Sequence, residues 1–311
     1  MLGATGAAGL FPPFLSRRER HTIMSPRSLR FAALFLTLAA AASPALGATG
    51  DWVRGQHIAL RLIATPLVPG APLEGVIEIV LDEGWKTYWR SPGDAGIPPR
   101  FDFSGSKNVG AAAIAFPAPQ RDDDGISVSN VYHDRVLLPV TFGVNEGSQP
   151  AMLRLVADLG VCKDICLPVN LVASLDVPMG GPDAEDAVTI AAARAALPVA
   201  GQAGLFEVAG LKRVGGSDRE PEFEARVVMK RGGEGLLFVE TPTDWYPATP
   251  MVAKTDGLVD GERRYRFSVD RKTATTPLTG ATIRLTLTEN GAATSRAFTL
   301  DADAMAVPLP D

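Results

Sequence analysis

The sequence is poor in the residues that most often carry chemistry. Its 311 residues include two cysteines, Cys162 and Cys166, and three histidines. A disulfide-dense scaffold is therefore excluded. A metal centre is the weaker reading of the thiols, because no second cysteine pair exists and only His57 and His133 lie downstream of residue 47. Basic charge is also in short supply, with 30 Lys and Arg against 35 Asp and Glu and no basic stripe, so no nucleic-acid partner is expected. No G-x-S-x-G, Walker loop or H-E-x-x-H is present, which leaves hydrolase and nucleotide chemistry without support. No strong internal repeat, low-complexity tail or second apolar run of membrane length follows residue 47.

What is present begins with a leader. Arg27 and Arg30 precede the apolar run FAALFLTLAAAA (31–42), which is followed by Ser43, Pro44 and Ala45-Leu46-Gly47. A basic segment, about a dozen apolar residues and an A-x-A-like cleavage site read as a secretory signal peptide, too short to span a bilayer comfortably. Residues 1–23 form an upstream extension without periodicity, and 1–47 are set aside from the fold. Those residues carry five arginines and one glutamate, so the remaining 264 residues have a formal charge of −9 against −5 for the whole. That length suggests about two domains, and the processed protein is expected to be soluble.

The rest of the chain reads as β-structure. Runs with period-two character include HIALRLIA (57–64), LEGVIEIVLD (73–82), VLLPVTF (136–142), AMLRLVADL (151–159) and LPVNLVASLDV (167–177), each bounded by Gly, Pro, Asn or Asp. The pattern breaks over 178–198, where Asp183 could cap a short Ala-rich helix that ends before Pro198. Strands resume at LFEVAGLKR (205–213), EFEARVVMK (222–230), GLLFVE (235–240), RYRFSVD (264–270), TIRLTLTE (282–289) and SRAFTLD (295–301). The expected fold is all-β: two immunoglobulin-like β-sandwich domains, 48–178 and 201–311, joined by a short helical linker over 179–200.

Cys162 and Cys166 enclose Lys163-Asp164-Ile165 between two strand patterns, so a tight hairpin or strand-end turn is their natural host. Across such a turn two Cα atoms can approach to about 5.5 Å, within disulfide range. Closing a loop of about five residues contributes roughly 2 kcal/mol, little for a staple. A short loop that is easily reduced and re-formed suits a dithiol that cycles. A local structural staple remains open as the alternative.

Three ordered stretches carry a resemblance. VCKDICLPVNLVASLDV (161–177), GWKTYWRSPGDAGIPPRFDFSGS (84–106) and FPAPQRDDDGISVSNVYHDRVLLPVTF (116–142) resemble the N-terminal periplasmic domain of the DsbD family of thiol:disulfide interchange proteins, and within it the branch that includes ScsB-type proteins of copper tolerance. The resemblance covers about residues 50–178 and implies a periplasmic location and protein-disulfide reductase chemistry, of the kind that also serves cytochrome c biogenesis, with no cofactor. It implies a catalytic pair, Cys162 and Cys166, in which Cys166 forms the mixed disulfide and Cys162 resolves it. The implied partners are thioredoxin-like periplasmic proteins and a separately encoded membrane electron carrier of DsbD type, since the family's membrane and thioredoxin-like domains have no counterpart in this sequence. A cap loop is implied at Arg121–Ser127, including Asp124 and Ile126, with Tyr132 starting the next strand and Tyr88 and Trp89 beside the thiols.

Several features depart from that pattern. Three residues separate the cysteines where several family members have five, and the cap segment RDDDGIS has Ile126 as its only apolar candidate for shielding. Asp122-Asp123-Asp124-Gly125 lacks the ligand spacing of a calcium loop and reads as a solvated turn. On a strand, Trp85 and Trp89 share one face and Tyr88 takes the other. His133 and Asp134 read as an exposed hairpin pair, and SPGDAGIPPR (91–100) as a Pro/Gly loop in which nothing demands chemistry. The competing expectation is a non-catalytic secreted β-sandwich, an interaction or copper-handling module with a structural disulfide.

Overall fold

The computed structural model describes residues 48–180, 184–229, 235–253, 261–303 and 305–309; the expected signal peptide and Asp183 lie outside them. The first part of the chain forms β1 (Ala48–Thr49), β2 (Val53–Gly55), β3 (Ile58–Ala64), β4 (Leu73–Leu81), β5 (Lys86–Gly93), β6 (Arg100–Asp102), β7 (Val109–Ile114), β8 (Gln120–Asp123), β9 (Val128–His133), β10 (Arg135–Val144), β11 (Ala151–Cys162) and β12 (Cys166–Val177). One sheet runs β1-β3-β4-β10-β7 with β2 on β3, and the other β12-β11-β5-β9-β8 with β6 on β11. Leu60, Leu62, Ile77 and Leu138 of the first sheet and Trp89, Leu153, Leu155 and Leu159 of the second share one core. The alternation seen in the sequence is the inward half of each strand.

The helix α1 (Ala184–Ala195) is more than a spacer. Ile190 and Ala193 pack on Ile63, Val76 and Leu137, on the outer side of the first sheet. This is why β4 is buried on both faces and reads as a nearly continuous apolar run. Its one buried charge, Glu78, is held by Arg61 at 2.7 Å and Arg135 at 2.6 Å.

The second part forms β13 (Glu207–Ser217), β14 (Glu220–Val228), β15 (Gly235–Glu240), β16 (Tyr246–Pro247), β17 (Met251–Val252), β18 (Glu262–Asp270), β19 (Thr282–Glu289), β20 (Ala292–Leu300) and β21 (Ala306–Pro308). Its sheets run β13-β14-β18-β16, with β17 on β18, and β15-β19-β20-β21. Phe223, Phe267, Ile283, Leu285, Leu287 and Phe298 fill its own core. The edge strand β15 is apolar on both faces for a reason that the sequence does not show. Leu237 and Val239 enter this second core, whereas Phe238 turns outward into the first.

Candidate functional site

The hairpin of β11 and β12 is the longest ladder among the described residues, with twelve antiparallel pairs from Ala151↔Val177 to Cys162↔Cys166. Lys163, Asp164 and Ile165 make the turn, closed by the Lys163 amide donating to the Ile165 carbonyl at 3.1 Å. The three-residue spacer therefore puts the two cysteines directly opposite each other, with Cα atoms 4.2 Å apart and the sulfurs joined in a disulfide.

Paired residues on neighbouring strands point to the same side of a sheet, yet the two sulfurs have different surroundings. β11 is an interior strand, and β5 on its far side covers Cys162, which is 1% exposed. β12 is the sheet edge, and Cys166 is exposed. Tyr88, from β5, is 4% exposed and donates its hydroxyl hydrogen to Cys162 Sγ at 2.9 Å, with Cys166 Sγ at 3.5 Å. Burial pushes the Tyr88 pKa up, partly offset by the Lys86 ammonium, so the hydroxyl keeps its proton and stays a donor. Lys86 lies directly across the ladder from Cys162 and is ion-paired with Asp122 at 2.5 Å.

The Tyr88 ring is held between two glycines. A Cβ on Gly160 would come within 3.1 Å of the ring and 2.9 Å of Ile97 Cβ. A Cβ on Gly96, whose φ is +132°, would come within 2.4 Å of the same ring. The loop that follows β5 thus lies across Tyr88 through Gly96 and Ile97, a packing role that reading SPGDAGIPPR as a Pro/Gly loop did not include. The loop and the end of β5 are fastened to β9: Ser129 Oγ donates to the Ala95 carbonyl at 3.0 Å, and Asn130 Nδ2 donates to the Ser91 carbonyl at 2.9 Å. Val131, also on β9, completes the apolar cluster around Tyr88 and Cys162.

The other expected residues are distributed less simply. Trp89 sits on the opposite face of β5, fully buried in the core and edge-on to Phe238 at 5.9 Å, so it does not line the sulfurs. Tyr132 is the fifth residue of β9, which starts at Val128. It points into the core, donates to the Pro117 carbonyl at 2.7 Å, and has its pKa pushed well above the usual value by burial. Ile126 is 96% exposed at the tip of the β8–β9 hairpin and shields nothing. Asp124 accepts the Ser127 and Ile126 amides at 2.8 and 2.9 Å, which holds its carboxyl below the usual range. Asp123 accepts the Gly125 amide at 2.9 Å, so two of the three aspartates serve the turn and the third pairs with Lys86. Among the described residues no cluster of three His, Cys, Asp or Glu could hold a metal ion. Gly96, Gly160, Ile97, Val131 and Lys86 escaped sequence reading. Their only signal was the unusual glycine that ends the apolar run of β11.

Residues 61–174 match the sequence model for the N-terminal region of the thiol:disulfide interchange protein DsbD. Among solved structures, the chain is similar to the N-terminal periplasmic domain of ScsB from Proteus mirabilis, with 19% identity and a TM-score of 0.64 over 82% of this chain and 99% of that one. An alignment of that length is too long for either sandwich alone, so the likeness in fold extends over both. No curated protein matches the sequence at a significant level.

Proposed function

We propose that this protein exchanges thiols and disulfides through Cys162 and Cys166 in the periplasm. In this role it relays electrons between a thioredoxin-like reductant, fed by a separately encoded membrane carrier, and periplasmic thiol proteins. The observation that carries this reading is the unequal exposure of two bonded sulfurs, Cys166 at the sheet edge and Cys162 under the Tyr88 hydroxyl. A structural staple is the poorer account, because twelve ladder pairs already close the hairpin that the bond spans. The match to the DsbD N-terminal region supports the same chemistry.

The steps follow from access and leaving-group stability. A reductant thiolate attacks Cys166 Sγ, forming a mixed disulfide there and expelling Cys162 as a thiolate. The Tyr88 hydroxyl donates a hydrogen bond to that anion, which makes it a better leaving group. A second reductant thiol then displaces Cys166, leaving the protein as a dithiol and the reductant as a disulfide. In the outward half, the Cys166 thiolate attacks a substrate disulfide, and Cys162 attacks Cys166 Sγ to release the reduced substrate and restore the starting bond. Two electrons and two protons pass in each half.

The test is trapping. Cys162→Ala should accumulate a covalent complex with a thioredoxin-like protein through Cys166, and Cys166→Ala should accumulate little. Trapping by neither variant in a periplasmic extract would overturn the exchange function, and the reverse pattern would overturn the assignment of roles.

A further inference from the structure

The second sandwich touches the first at the elements that frame the disulfide. Arg90, two residues after Tyr88 on β5, makes a two-pronged ion pair with Glu240 of β15, one arm at 2.9 Å. Ser91, near the end of β5, donates its hydroxyl to the Val239 carbonyl at 3.1 Å. Arg121 of β8 donates to the Leu237 carbonyl at 2.6 Å. Between these polar ties the rings interleave: Phe238, fully buried, meets Trp89, and the Arg121 guanidinium lies 5.0 Å from the Phe238 ring centre. The Arg90 guanidinium lies 5.0 Å from the Trp89 ring and 5.1 Å from Phe116.

β15 is an edge strand, whose unpaired carbonyls would otherwise need water or a new strand. Two of them are satisfied by side chains from the first sandwich, one at the end of β5 that leads into the Tyr88-covering loop and one on the β8–β9 hairpin. Because the end of β5 and the loop that follows it are bonded to β9, an unbroken path runs from β15 through β8, β9 and the loop to the Tyr88 ring and the buried sulfur.

We propose that β15 of the second sandwich is a brace for the thiol site, with Phe238, Glu240 and Arg121 as positioning residues that keep Tyr88 and the loop after β5 over Cys162 and so direct incoming thiols to Cys166. This rests on the exchange reading for its biological meaning, but its measurement needs no protein partner. Glutathione is the probe. Oxidised full-length protein, processed at its leader, is exposed briefly to reduced glutathione and quenched in acid, and the adducts are mapped after trypsin digestion. Lys163 lies between the cysteines, so the two adducts fall on different peptides.

The native protein should carry the adduct on Cys166 in at least about tenfold excess, since access decides which sulfur is attacked. Glu240→Gln and Arg121→Ala should cut that preference to about threefold or less and speed loss of the disulfide, and Arg121→Lys, which still can donate to the Leu237 carbonyl, should restore most of it. Ile283→Val, whose side chain lies in the core of the second sandwich and makes none of the contacts between the two sandwiches described above, lowers stability and should leave the preference unchanged. Phe238→Ala is a third variant, read only if it melts cooperatively. An unchanged preference in folded Glu240→Gln and Arg121→Ala overturns the brace, as does an equal change in Ile283→Val. Altered selectivity together with failure to trap any thioredoxin-like protein would uphold the brace and overturn the exchange reading, and trapping with unaltered selectivity would do the opposite.

Discussion

Among the described residues, the Tyr88 hydroxyl is the one polar group within hydrogen-bonding distance of both sulfurs, and its burial keeps it protonated. In the reduced protein it should hold the Cys162 thiolate, and a hydrogen bond to a charged group contributes roughly 1.5–3 kcal/mol before reorganisation. Tyr88→Phe preserves the ring that Gly96 and Gly160 enclose and removes only this bond. The pH midpoint for alkylation of Cys162, read with iodoacetamide in a reduced Cys166→Ala background, should therefore rise by about one unit. An unmoved midpoint would show that Tyr88 covers the sulfur without stabilising its anion. Tyr88 was legible as a candidate from the GWKTYWR stretch, and period-two geometry separated it from Trp89. What the sequence withheld was which of those two faces met the cysteines, because that depends on β11 pairing with β5 across 74 residues of chain.

At the scale of elements, the β11–β12 hairpin is held by its ladder and by the core residues Leu153, Leu155, Leu159, Leu171 and Ala173, independently of the disulfide. The bond closes a loop of about five residues, so replacing both cysteines by serine should lower unfolding stability by only about 2 kcal/mol. Denaturant titration of the double variant should give a reduced midpoint with an unchanged slope. A larger loss, or a changed slope, would make the bond a structural staple. The strong alternation of β11 and β12 and their three-residue spacer made this hairpin readable in advance. The β8–β9 hairpin was not: QRDD and VSNVYH have mixed faces, because one side meets the thiol site and the other meets β15 and the core. Its turn residues, spent on Asp123 and Asp124 accepting backbone amides, explain why Ile126 projects into solvent instead of folding over the disulfide.

For the whole molecule, acid should be the destabilising direction. Backbone amides of Thr275 and Thr276 hold the Asp244 carboxyl far below its usual value, and backbone amides likewise lower Asp102, Asp124 and Asp270. A folded pKa below the unfolded one, 3.8 for aspartate, means that the unfolded chain takes up protons first. The stability these groups contribute is complete well above that value and is lost as pH falls below it toward the folded pKa values. Urea midpoints should thus be nearly level from pH 7 to 5 and drop steeply below about pH 4, with a shallower drop in Asp244→Asn. An equal slope in that variant would assign the acid sensitivity elsewhere.

The local code was sufficient for local matters. Alternating apolar residues set most of the strands, and the spacing of Cys162 and Cys166 set a tight turn with opposed thiols, since both follow from geometry within a few residues. Which sulfur is accessible was decided only by strand order: β12 ends its sheet and β11 does not. Tertiary structure also decided that Gly96 and Ile97 pack against Tyr88 and Gly160, and that Phe238 leaves its own sandwich for the other. These outcomes depend on the pairing of segments far apart in the chain, where burial is shared between partners and no single stretch of sequence records it.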